Sequence, residues 1–118
     1  MLPIKLECST PSPDTAKLQL LLEPQLFWFK GHFPGQPVLP GVAQIHWAVH
    51  YAREHLGLNG QFVAMQAIKF QSPVTHGQTL ELNLQWSAEK ELLKFSYFSV
   101  QPTADLLPVS SGKIRFSL

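Results

Sequence analysis

Gly31-His32-Phe33-Pro34-Gly35-Gln36-Pro37-Val38-Leu39-Pro40-Gly41-Val42 is the stretch from which the rest of the chain can be read. Pro34, Pro37 and Pro40 each fix φ and remove an amide donor, while Gly31, Gly35 and Gly41 permit turns and close approaches closed to other residues. The stretch is a shaped loop around a single titratable ring, His32. It ends where a helix begins. Pro40 suits a first helical position, and the turn that follows leaves backbone N–H groups without intrahelical partners, able to receive negative charge.

Outward from the loop, residues 41–56 contain no proline and carry Val42, Ile45, Val49, Ala52 and Leu56 at helical spacing, stopping before Gly57. This predicts one long helix whose buried stripe runs through those five positions. Before the loop, 17–23 and 26–30 read as strands broken by Pro24. Residues 1–16, with Pro3, Pro11, Pro13 and interspersed Ser and Thr, read as an N-terminal arm with at most a short strand at 4–7. After the helix the period changes to two, predicting antiparallel strands at 62–70, 79–87, 92–100 and 109–116. In the second of these Leu80, Leu82, Leu84 and Trp86 alternate with Glu81, Asn83 and Gln85, as one buried and one wetter face require. One helix and a mostly later sheet make the class α+β.

Length and composition bound the rest. A chain of 118 residues with 45% hydrophobic content is read as a single domain, 1–118, able to build a core without crosslinks. Cys8 is the only cysteine, which excludes an intrachain disulfide and a four-thiolate metal site. The apolar runs are too short to span a membrane and the first residues lack a signal peptide's apolar stretch, so a cytoplasmic location is expected. A net charge of +1 with 14% charged residues provides no basic field for nucleic acid. Three Trp and eight Phe in so short a chain point to surface buried against a partner, with a homodimer as the simplest form.

The run from Gly31 to Val42 resembles the signature of the β-hydroxyacyl-acyl carrier protein dehydratases, single-hotdog enzymes of fatty acid synthesis and related pathways. A second segment, Lys69-Phe70-Gln71-Ser72-Pro73-Val74-Thr75-His76-Gly77-Gln78, is similar to that family's later strand and turn, with His76 and Gln78 departing from its pattern. The resemblance covers residues 15–118, and Val38 to Gln44 followed by Trp47-Ala48 looks most like the branch found in aryl polyene clusters. It implies a hotdog fold, an antiparallel sheet wrapped around the central helix. It also implies dehydration of a 3-hydroxyacyl thioester to the trans-2-enoyl thioester.

That reaction needs a base for the α-proton, an acid for the departing hydroxyl and donors for the thioester oxygen. By resemblance His32 is the base, with the Val38 carbonyl orienting its ring, and the N–H of Gly41, with Val42, faces the carbonyl oxygen. A neutral imidazole with a pKa of ~6.5 suits the first role, and one fixed donor contributes ~3 kcal/mol to the second. Where the family carries Glu or Asp, this chain has His46. Family geometry places that residue across a dimer interface from the motif histidine, so each site would join His32 of one subunit to His46 of the other. Two nearby imidazolium ions repel, so such a pair shares one proton and supplies a neutral base beside a cationic acid. Gln44 and Phe33 are substrate-binding candidates, and Phe27, Phe29, Val38, Leu39, Phe62 and Phe70 read as core or tunnel wall.

Other histidines take plainer readings. His46 and His50 stand one turn apart, but no glutamate lies between them and no third ligand is evident, so no metal is expected. His50 with Arg53 reads as a polar helix stripe, His55 as a complement to the helix dipole, and His76 as a surface turn residue. No bound cofactor is implied, because the phosphopantetheine arm arrives as part of the substrate. The expected partner is an acyl carrier protein, met by Lys30, Arg53 or Lys69, with a homodimer or a heterodimer with another hotdog subunit completing the site. Two rival functions stand beside the dehydratase: a non-catalytic or partner-dependent acyl-binding subunit, and a thioesterase. The motif helix has no Asp or Glu before Glu54, which disfavours the thioesterase.

Overall fold

The computed structural model describes residues 2–24 and 38–118. Within them the chain forms β1 (Ile4–Ser12), β2 (Thr15–Leu21), α1 (Gly41–Leu56), β3 (Gln61–Phe70), β4 (Thr79–Ser87), β5 (Leu92–Val100) and β6 (Leu106–Ser117). The strands make one sheet in the order β1-β2-β4-β5-β6-β3, antiparallel at every pairing. This is the hotdog arrangement, with α1 against the inner face. Alternation explains that face: Leu18, Leu20, Leu80, Leu82, Leu84, Leu93, Phe95, Ile114 and Phe116 are buried with the helix residues Ala43, Trp47, Ala48, Tyr51 and Ala52. Truncating one of the large members to Ala costs ~2–5 kcal/mol, so this single cluster holds helix and sheet together.

The helix occupies the residues its spacing predicts, with Pro40 as N-cap at φ −62° rather than as the first helical residue. Gly57 closes it in the left-handed conformation at φ 66°, where a residue with a Cβ would be strained. The buried stripe differs from the one expected. Ala43, Gln44, Trp47, Ala48, Tyr51 and Ala52 face the sheet, whereas Val42 is 65% exposed and Ile45, Val49 and Leu56 are only partly covered. The reason is that α1 carries two apolar stripes, and the one packed on the sheet combines the large rings of Trp47 and Tyr51 with three alanines.

Three further expectations are corrected. The N-terminal arm is a full edge strand, β1, paired with β2 through two register shifts. Lys5 ties it to the helix end by an ion pair with Glu54 at 2.9 Å. Phe62, read as core or tunnel wall, is exposed on β3, the other edge of the described sheet, and Phe70 on the same strand is a groove wall rather than core. The last strand begins at Leu106, three residues early, by pairing with the end of β5. The expected strand at 26–30 lies outside the described residues, as do Phe27 and Phe29.

Candidate active site

The first turn of α1 is positioned by a single transverse row of the sheet. Register places Tyr97 of β5, Ser110 of β6 and Phe70 of β3 side by side. All three meet the helix start. The Tyr97 hydroxyl donates to the Gln44 carbonyl at 2.7 Å, the Ser110 hydroxyl donates to Gln44 Oε1 at 2.6 Å, and the Phe70 ring closes over Gly41. Burial raises the Tyr97 phenol well above its ordinary range, so it remains a donor. A Cβ at position 41 would lie 2.8 Å from Phe70 Cε1 and 3.0 Å from Cε2, which is why this approach needs glycine.

The approach to the helix is equally fixed. Leu39 N–H donates to the Val74 carbonyl at 2.7 Å, and Gln71 N–H donates to the Val109 carbonyl at 2.7 Å, tying the loop after β3 to β6. Between these parts lies a groove of about 270 Å³ lined by Val38, Leu39, Gly41, Gln44, Phe70 and Pro73, with Gln71 and Ser72 at its edge. The amides of Ala43 and Gln44 both turn to the Pro40 carbonyl, at 3.1 and 3.4 Å. No acceptor takes the N–H of Gly41 or Val42 among the described residues. Two donors at a helix start beside an apolar-walled groove can stabilise an oxygen that gains negative charge.

The structure gathers Val38, Gly41 and Gln44 at this groove and leaves His46 apart from it. His46 follows Val42 by one turn on the exposed side of α1, away from the buried stripe. His32 and Phe33 lie outside the described residues, as does Lys30. Ser110 and Tyr97 entered the site unannounced, whereas Phe70, read as core or tunnel wall, lines the groove. Ser110 and Tyr97 lie 66 and 53 positions from Gln44, and only strand register could have joined them.

At the opposite end of α1, Lys5, Cys8, Glu54, His55 and Tyr51 form a clasp between β1 and the helix. His55 Nε2 lies 3.1 Å from Lys5 Nζ, which can only donate, and the ring stacks on Tyr51. Burial, then the Lys5 charge, lowers the His55 pKa, which works against the charge that would complement the helix terminus. Burial and Glu54 push Tyr51 up to about 12. His50 Nε2 lies 3.4 Å from Glu54 Oε2. Arg53 donates to the Leu58 carbonyl at 3.3 Å and lies over the Phe116 ring, contacts that brace the helix end. Lys69 edges a hollow of about 770 Å³ on the outer sheet face with Lys17, Lys94 and Lys113. None of Gly41, Gln44 or His46 lines that hollow, so despite its size it is not the candidate site.

Comparison with known proteins agrees with this fold. A chain of the dehydratase heterocomplex ApeI:P from Xenorhabdus doucetiae is 42% identical, and the two cover 100% of each other with a TM-score of 0.92. The 3-hydroxyacyl-[acyl-carrier-protein] dehydratase FabZ of Novosphingobium aromaticivorans is 38% identical over 79 residues, covering 58% of this chain and 50% of the relative. FabZ of Acetivibrio thermocellus is 32% identical over 98 residues, covering 77% of this chain and 66% of the relative. The chain thus spans about half to two thirds of the length of these curated relatives. The family model described as ApeI dehydratase matches residues 8–113, and the chain belongs to this ApeI-like family of hotdog dehydratases.

Proposed function

We propose that this protein is a cytoplasmic 3-hydroxyacyl-[acyl carrier protein] dehydratase of the aryl polyene type, acting as one of two hotdog subunits that share a site. The observation that carries the reading is the start of α1, where the N–H groups of Gly41 and Val42 have no acceptor among the described residues and Gly41 lines an apolar-walled groove within a dehydratase fold. The His32 imidazole takes the α-proton of the thioester, and the released electron pair moves onto the carbonyl oxygen, held by the Gly41 N–H with Val42 beside it. As that pair returns, the Cβ–O bond breaks and the hydroxyl leaves with a proton from His46 of the neighbouring subunit. Water and the trans-2-enoyl thioester are the products, and the base and acid end with exchanged protonation.

Two features favour a paired subunit. The second apolar stripe of α1, with Val42 and Ile45, and the exposed β3 residues Phe62, Val63 and Met65 are more apolar surface than a lone chain ordinarily shows. His46 emerges on that same side of the helix. A homodimer satisfies this arrangement. A heterodimer does so as well, and it is favoured by the likeness to a chain from a complex described as a dehydratase heterocomplex. The phosphopantetheine arm enters with the acyl group, its carrier protein being the partner in each turnover.

The test is to incubate the protein, alone and with a related hotdog subunit, with an enoyl-carrier thioester and follow reversible hydration. Hydration by either preparation, lost in His32→Ala and lowered at least tenfold in His46→Ala, is the expected result. Hydrolysis instead would make the protein a thioesterase. Binding without conversion in both preparations would make it a non-catalytic acyl-binding subunit. Unchanged turnover in His46→Ala would move the acid elsewhere.

A further inference from the structure

Gln44 is only 3% exposed, and the oxygen of its carboxamide is held by the protein. Its Oε1 receives the Ser110 hydroxyl at 2.6 Å, a length that belongs to O–H···O bonds and is short for N–H···O, which fixes the orientation of the amide. No acceptor for Nε2 is present among the described residues, and Gln78 Oε1, not Gln44 Nε2, is the fully buried side-chain atom without a partner there, so the amide nitrogen is not sealed in the core but belongs to the groove lining. Helical geometry directs the Gln44 side chain back toward the N-terminus, over the first turn. Gly41, three residues earlier on the neighbouring row, has no side chain to obstruct it. Both line the same groove.

We propose that Gln44 Nε2 is a further donor to the thioester carbonyl oxygen, acting beside the Gly41 N–H, and that Ser110 is the positioning residue that holds its amide in the donating orientation. The inference rests on the dehydratase reading and adds a side-chain donor to its backbone donors. Ser110 can perform this task because the sheet fixes it from both sides, between Tyr97 and Phe70. Donating its own hydrogen to Oε1 also excludes the flipped amide, which would present an acceptor to the groove and repel a developing oxyanion.

The experiment uses the assembled protein with a saturated probe, 1-¹³C-butanoyl pantetheine thioester, which binds but has no hydroxyl to lose. Infrared spectroscopy reads how far its carbonyl stretch is lowered on binding. Gln44→Leu is expected to lose a clear part of the lowering, Ser110→Ala to lose less, and Ser110→Thr to restore it. With 3-hydroxybutanoyl pantetheine, Gln44→Leu should lower kcat ~10²-fold with KM within about threefold, and the pH profile should keep its midpoints. Ser110→Ala should lower kcat about three- to tenfold with the same signature. An identical carbonyl shift in wild type, Gln44→Leu and Ser110→Ala would overturn the inference while leaving the dehydratase reading intact. Failure of the wild type to bind the probe would overturn both.

Discussion

Replacing Gly41 by alanine separates what the close approach of helix and strand contributes to stability from what it contributes to chemistry. The added Cβ meets only the outer atoms of the Phe70 ring, at 2.8 and 3.0 Å to Cε1 and Cε2, and that side chain is 53% exposed at the sheet edge. The ring can swing outward at a cost of ~0.5–1.5 kcal/mol for a strained rotamer. Against this, alanine at a position of ordinary helical φ gains ~0.4–1 kcal/mol by restricting the unfolded chain. The two nearly cancel, so Tm should move by less than about 5 °C in a domain of this size. Chemistry has no such compensation. The methyl group stands beside the N–H groups of the helix start and displaces the groove wall, so kcat/KM for a 3-hydroxyacyl thioester should fall ~10²-fold or more. Thermal unfolding and steady-state kinetics on the same preparation check both. Turnover within threefold of wild type would refute the placement of the substrate oxygen, and a Tm lower by more than about 10 °C would refute the account of how the ring yields.

Val42→Asp places a charge on the apolar stripe that faces away from the sheet. It should shift the protein toward single subunits in analytical ultracentrifugation while the isolated chain keeps its far-ultraviolet spectrum. The His55 ring, whose pKa is lowered in the folded state by burial, binds its proton more readily when the chain unfolds. Its contribution is therefore complete above 6.5 and declines as pH falls through that value toward the folded-state pKa, so denaturant midpoints should drop on acidification more steeply in wild type than in His55→Gln.

The sequence showed the element boundaries best where a single rule governed them. The helix from Gly41 to Leu56 is bracketed by proline and glycine, and the strands at Thr79–Ser87 and Leu92–Val100 alternate without interruption. It misled where two solutions were both apolar. Val42, Ile45 and Val49 form as good a helical stripe as Trp47, Tyr51 and the alanines, and period alone does not say which faces its own sheet and which a neighbour. The same ambiguity made Phe62 look like core. Prolines disguised β1, which is tolerated because an edge strand leaves amide positions unpaired. Of the candidate site, Gly41 and Gln44 were legible from their motif. Ser110 was not, because an isolated serine in a strand carries no signal until register sets it under the helix.

The strand β3 has a consequence for how the protein is produced in a cell. Among the described residues its ladder runs along β6 alone, interrupted at Phe62/Ala64 and at Gln66/Lys69, where Ala67 takes φ 51°. Its flank carries Val63 and Met65, each at least half open to water. Such a border invites indiscriminate zippering with any extended chain, and the two kinks interrupt its flatness at only two points. If a second subunit is what covers it, newly made copies remain vulnerable until that encounter. Unequal synthesis of the two would then show as precipitate or proteolytic turnover of the surplus rather than as a pool of idle monomer.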